Sequence, residues 1–120
     1  MNKHYTTCSV IGEGRLNQIS TGKEADFEII EISASGVKIY TPANLDEKEH
    51  AALKMSFGGH FIAVSLKAEG QIVDKRQRGA VYEYNISFTN LPETKKIELD
   101  EIMKRTCNIS TFGKSGREVG

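Results

Sequence analysis

From residue 53 to residue 88 the chain alternates apolar and polar side chains almost without a break. Leu53, Met55 and Phe57 share one face; Ile62, Val64 and Leu66 take it up across Gly58-Gly59, and Ala68, Gly70 and Ile72 continue it. After Lys75-Arg-Gln-Arg-Gly79, the period resumes at Tyr82, Tyr84, Ile86 and Phe88. A period of two belongs to a strand with one buried face. Two glycines between such runs favour a tight primed turn. This long ribbon is the backbone of the fold, and Ile62, Val64, Ile86 and Phe88 are expected in its core.

Shorter strands precede it. Cys8-Ser-Val-Ile11 is an apolar run closed by Gly12-Glu-Gly14, with Arg15 to Gln18 continuing it after a bulge or turn. Thr21-Gly-Lys-Glu24 reads as a turn. Residues 25–33 form the next strand, whose paired Ile29 and Ile30 break strict alternation and point to a bulge or to burial on both faces. Val37 to Thr41 is a third strand, stopped by Pro42. Residues 43–52 are polar and read as a connecting loop with one helical turn. Helix signals come only at the end. Pro92 and Glu93 suit a first turn, and Ile97, Leu99, Ile102, Met103 and Thr106 make an apolar stripe. Asp100–Lys104 and Glu101–Arg105 are spaced as i,i+4 pairs. The reading is one mainly β domain over residues 1–107: a small antiparallel six-stranded barrel closed by one C-terminal helix at about 92–107. Residues 108–120 read as a loose tail.

Sixteen basic and sixteen acidic residues give a formal net charge of zero. Bulk electrostatic binding to nucleic acid or to an anionic membrane is therefore not expected. No apolar run approaches the roughly 20 residues of a spanning helix, and Met1-Asn-Lys-His-Tyr5 lacks the apolar stretch of a signal peptide. Cys8 and Cys107 share no metal-ligand spacing and read as two reduced thiols of a cytoplasmic protein. His4, His50 and His60 are scattered, so no metal site is expected. Ser33 and His60 lack a nucleophile elbow and a third orienting group, so no enzyme is expected. Lys75, Arg76 and Arg78 read as a solvated hairpin tip. Tyr82 and Tyr84 read as core packing, since they alternate with Ile86 and Phe88.

The stretch Glu31-Ile-Ser-Ala-Ser-Gly36 falls between two strands. Serines and a glycine at a bend offer small hydroxyls and exposed N–H groups, and glycine there allows positive φ or close backbone approach. The stretch resembles the second signature of PilZ domains, Asp/Asn-x-Ser-x-x-Gly, with Ser33 and Gly36 in register and Glu31 where Asp or Asn is usual. Tyr84-Asn-Ile-Ser-Phe88, followed by Asn90-Leu91 and a polar helix, resembles the family's closing strand and helix. The resemblance spans roughly residues 7–106.

PilZ domains are typically receptors for cyclic di-GMP, and the resemblance implies that function, in the control of motility or surface behaviour. Guanidinium groups hold such a ligand well, because they bridge phosphates and stack on guanine. The family supplies them from an Arg-x-x-x-Arg motif upstream of the bend. Here the upstream cations are Lys3, Arg15 and Lys23, and no two have that spacing. The expected ligand residues are Glu31, Ser33, Ser35 and Gly36, with Arg15 as a candidate phosphate contact whose alternative is a solvated strand-edge arginine, and the expected affinity is weak. A ligand-independent adaptor that binds a partner protein is the alternative, because many PilZ-like domains lack the arginines. No cofactor is expected.

Overall fold

The structure, a computed structural model, describes residues 5–58 and 63–105. Ile62, Thr106, Cys107 and the tail 108–120 lie outside the described residues. Six strands run in order: β1 (Cys8–Gln18), β2 (Glu24–Ile32), β3 (Gly36–Thr41), β4 (His50–Gly58), β5 (Ala63–Arg78) and β6 (Val81–Phe88). A helix, α1, follows over residues 93–105. Every paired neighbour is antiparallel, and the sheet closes on itself in the order β1-β2-β3-β6-β5-β4. The expected mainly β barrel with one C-terminal helix is what forms.

Alternation places the core. Leu53, Met55, Phe57, Ala68, Ile72, Tyr84, Ile86 and Phe88 are buried, and Val64, Leu66 and Tyr82 are packed against them. The bulge expected at Ile29-Ile30 is present as a register shift between Ile29 and Glu31 against β3. Gly22 carries the turn after β1 with a φ of 72°.

Four local expectations change. Gly12 and Gly14 do not close a strand; they lie inside β1, on its inward face. A Cβ at Gly14 would meet Cζ of Phe27 at 2.6 Å, and one at Gly12 would meet Cβ of Phe57 at 2.6 Å. Their lack of side chains makes room for the Phe27 ring and for close approach of β4 in a narrow barrel, a use that local sequence does not announce. Residues 75–78 are strand, not hairpin tip, because they pair with Val81 to Tyr84, and the turn falls at Gly79, φ 65°. Residues 43–49 form no helical turn, and β4 starts at His50. This segment is a strap: Tyr84 Oη donates to the Ala43 carbonyl at 2.7 Å and accepts from the Leu45 N–H at 2.6 Å. Leu45 is fully buried beneath it. Ile97 leaves the helix stripe. Leu99 and Met103 are buried and Ile102 half-buried, but Ile97 is 49% exposed. At about 100° per residue, Ile97 lies some 200° from Leu99, on the opposite side of α1.

Helix α1 packs against the start of β1. The Thr6 N–H donates to Asp100 Oδ1 at 2.7 Å and Tyr5 Oη donates to Glu93 Oε2 at 2.8 Å. The Asp100–Lys104 pair forms at 3.5 Å. Cys8, expected as a reduced thiol, is instead in a disulfide. The barrel brings the start of β1 beneath the last helix, with Cys8 Sγ 3.2 Å from the Met103 carbonyl oxygen, a proximity that sequence spacing hides. Disulfides are uncommon in the cytosol, so the thiols no longer support a cytoplasmic address. No helix among the described residues is long and apolar enough to cross a membrane.

Candidate functional site

The bend between β2 and β3 is held by its own serines. The Ser33 N–H donates to the Gly36 carbonyl at 2.9 Å, and the Ser35 N–H donates to Ser33 Oγ at 3.1 Å. The two hydroxyls lie 2.9 Å apart. Ser33 is buried and Ser35 exposed, so Ser33 shapes the bend and Ser35 faces outward. The Ser35 carbonyl accepts from the Phe88 N–H at 2.9 Å, tying the bend to the end of β6. Gly36 has no positive φ. It is needed for proximity, because a Cβ there would collide with the Ile86 carbonyl oxygen on β6.

Beside the bend lies a depression of about 270 Å³ to which Glu31, Ser33, Ser35 and Gly36 all contribute. Lys38 on β3 and Asn85 and Ser87 on β6 complete its polar wall. These were missed in the sequence. Period-two alternation does put residues 85 and 87 on one face, but only the β3–β6 pairing brings that face to the bend. Lys38 is the one cation among the described residues lining the depression. Its ammonium lies 3.7 Å from Glu31 and 4.0 Å from Glu83. Glu83, whose side chain is 9% exposed, also accepts from Arg78 Nε at 3.2 Å.

Arg15 is elsewhere. Its Nε lies 3.2 Å from Asp26 and 3.9 Å from Glu24 on the outside of β1–β2, and it lines a larger cleft of about 1010 Å³. Arg76, expected at a solvated tip, sits 3.5 Å from Asp74. Among the described residues, no group of three His, Cys, Asp or Glu is placed to hold a metal ion; His4 and His60 lie outside those residues.

A closed six-stranded antiparallel barrel with a serine–glycine bend between β2 and β3, and a helix after β6, defines the PilZ class of fold. The PilZ domain family model matches residues 13–105, and the chain belongs to that family. Solved structures agree on the fold. The chain resembles the PilZ domain of YcgR from Escherichia coli, solved with c-di-GMP, at 14% identity and TM-score 0.67, over 96% of this chain and 98% of that one. It resembles Escherichia coli YcgR in complex with c-di-GMP at 17% identity and TM-score 0.64, covering 97% of this chain and 48% of that one. It resembles the Bacillus subtilis inhibitor of motility, MotI/DgrA, at 10% identity and TM-score 0.71, covering 88% of this chain and 51% of that one. Among curated proteins none matches the chain by sequence.

Proposed function

We propose that this chain is a PilZ signalling module that receives cyclic di-GMP at the β2–β3 bend, with micromolar or weaker affinity, in the control of motility or surface behaviour. One observation carries the reading: Glu31, Ser33, Ser35 and Gly36 line a single depression beside Lys38, Asn85 and Ser87. Hydroxyl, amide and carboxylate groups there suit guanine edges, and one ammonium suits one phosphate. The YcgR domain of the same fold was solved with this ligand. A cytoplasmic address belongs to the proposal, resting on where such a ligand would be met.

Affinity is limited by charge. No arginine lines the depression among the described residues, and Lys38 is already shared by two carboxylates. Losing one charge-assisted hydrogen bond costs about 1.5–3 kcal/mol, and a 1 μM complex rests on only about 8 kcal/mol. The same shortage supports the second reading, an adaptor acting through a partner protein without the nucleotide. Isothermal titration with cyclic di-GMP separates the two. The expected result is a dissociation constant of micromolar order that rises with salt and weakens about tenfold in Lys38→Gln. Arg15→Ala should leave it unchanged. No heat at millimolar ligand would leave the adaptor. Nanomolar binding insensitive to Lys38 would overturn the assignment of the site.

A further inference from the structure

Glu83 departs from the pattern of its strand. Tyr82, Tyr84, Ile86 and Phe88 of β6 turn inward, which leaves Glu83 on the outer side, where a carboxylate is ordinarily solvated. Yet Glu83 is buried. Its register partners are Tyr40 on β3 and Arg76 on β5, and the two cations paired with it come from diagonal positions, Lys38 and Arg78. Arg78 takes one carboxylate oxygen, its Nε donating to Oε1 at 3.2 Å. Lys38 faces the other, its ammonium 4.0 Å from Oε2. A carboxylate so far out of water is tolerated only with partners of this kind.

Glu83 is thereby tied to the β2–β3 depression without lining it. Lys38 is the cation of that depression and lies between two carboxylates, 3.7 Å from Glu31 and 4.0 Å from Glu83. Both distances exceed hydrogen-bond range, and among the described residues no hydrogen bond involves the ammonium. Its N–H donors remain available to a third anion, but the two carboxylates cancel much of the charge that such an anion would meet. The side chain of Glu31 is 40% exposed and that of Glu83 only 9%, so solvent screens Glu83 less and its hold on Lys38 is the stronger. Arg78 draws on the same carboxylate and moderates that hold. The result is one line of alternating sign, Glu31–Lys38–Glu83–Arg78, drawn from β2, β3, β6 and β5.

We propose that Glu83 is a positioning residue that sets how strongly the depression holds a phosphate: it keeps Lys38 partly neutralised, and Arg78 relaxes its grip. The inference rests on the reading that the depression receives a phosphate-bearing nucleotide, and it adds a residue outside the depression that tunes the affinity. Titration of the full chain with cyclic di-GMP and, separately, with inorganic pyrophosphate tests it, followed by amide chemical shifts at Ser35, Gly36, Lys38 and Ser87. Glu83→Gln should tighten both anions about three- to tenfold. Arg78→Gln should weaken both about two- to threefold, with Arg78→Lys close to wild type. In a Lys38→Gln background, Glu83→Gln should change neither by more than about 1.5-fold, because its effect passes through the ammonium. Glu13→Gln removes a carboxylate two strands from Lys38 and controls for net charge; it should change neither. Glu83→Met serves if Glu83→Gln fails to fold. The same order with pyrophosphate alone upholds the role of Glu83 and overturns the nucleotide reading. Cyclic di-GMP binding that depends on Lys38 but ignores Glu83→Gln overturns this inference and leaves the nucleotide reading standing. No saturable shift with either anion in any variant, or tightening by Glu83→Gln that persists without Lys38, overturns it as well.

Discussion

Replacing Gly12 by alanine isolates the tightest constraint on β1. The new Cβ would lie 2.6 Å from Phe57 Cβ and 2.6 Å from the Ser56 carbonyl oxygen, with Ile29 Cδ1 at 3.0 Å. Ordinary contact starts near 3.4 Å, so the nearest atoms must withdraw by almost 1 Å. Neither a Cβ nor a backbone oxygen can do so by rotating a side chain, and both belong to β4, the strand paired with β1. Overpacking of this kind costs about 1–3 kcal/mol, and the rigidity of the neighbours favours the upper half of that range. Alanine also restricts the unfolded chain, which offsets about 0.4–1 kcal/mol. A net loss of about 1–2 kcal/mol is expected, seen as a urea midpoint lower by about 0.5–1 M at unchanged slope. Gly22→Ala is the contrast. No atom lies within 4 Å of its added Cβ, and only the φ of 72° opposes it, at about 1–2 kcal/mol before the same offset. A Gly12→Ala protein as stable as wild type would refute the claim that β1 is glycine for space.

Phe88, 5% exposed, should cost about 3–5 kcal/mol on truncation to alanine, and a loss under about 1 kcal/mol in chemical denaturation would mean the β6 faces are inverted. Burial pushes the Tyr84 phenol above its ordinary 10.0, outweighing the Leu45 N–H that lowers it. A raised folded value favours the protonated phenol, so this contribution is complete below pH 10 and is lost as pH rises through the folded value. The stability gap between wild type and Tyr84→Phe should therefore narrow above about pH 10, and a gap that stays constant would count against it. Removing residues 93–105 should uncover the barrel face now covered by Leu99 and Met103 and increase binding of an apolar dye; a truncated chain that folds cooperatively without dye binding would show that α1 is dispensable.

The parts of the fold legible in the sequence are those set by side-chain period and turn chemistry. Tyr82 and Tyr84 alternate with Ile86 and Phe88, and all four pack as that pattern demands. Ile29-Ile30 announces its bulge, and Thr21-Gly22 its turn. Features set by non-local closure were not legible. Gly12 and Gly14 look like a break because their reason, the Phe27 ring on β2 and the close approach of Ser56-Phe57 on β4, comes from two other strands. Arg78 looks like part of a tip because Glu83 meets it only once β5 pairs with β6. The bend residues of the site were visible as a short motif. Lys38, Asn85 and Ser87 join them only through the β3–β6 register, and that pairing could not be read from either strand alone.

Closure of the sheet also decides how another molecule can engage this domain. In an open sheet, the outermost strand leaves N–H and C=O groups unused, and a partner can extend the sheet by β-augmentation. Here each strand has a neighbour on both sides, with short stretches, such as residues 63–68 of β5 and 24–27 of β2, pairing on one side alone. Recognition is therefore left mostly to side chains on the barrel wall, to the bends, and to the outer side of α1, where Ile97 is half exposed. Specificity then resides in residues that can change without disturbing the ladder. A scaffold of this kind can alter what it binds while keeping its backbone intact.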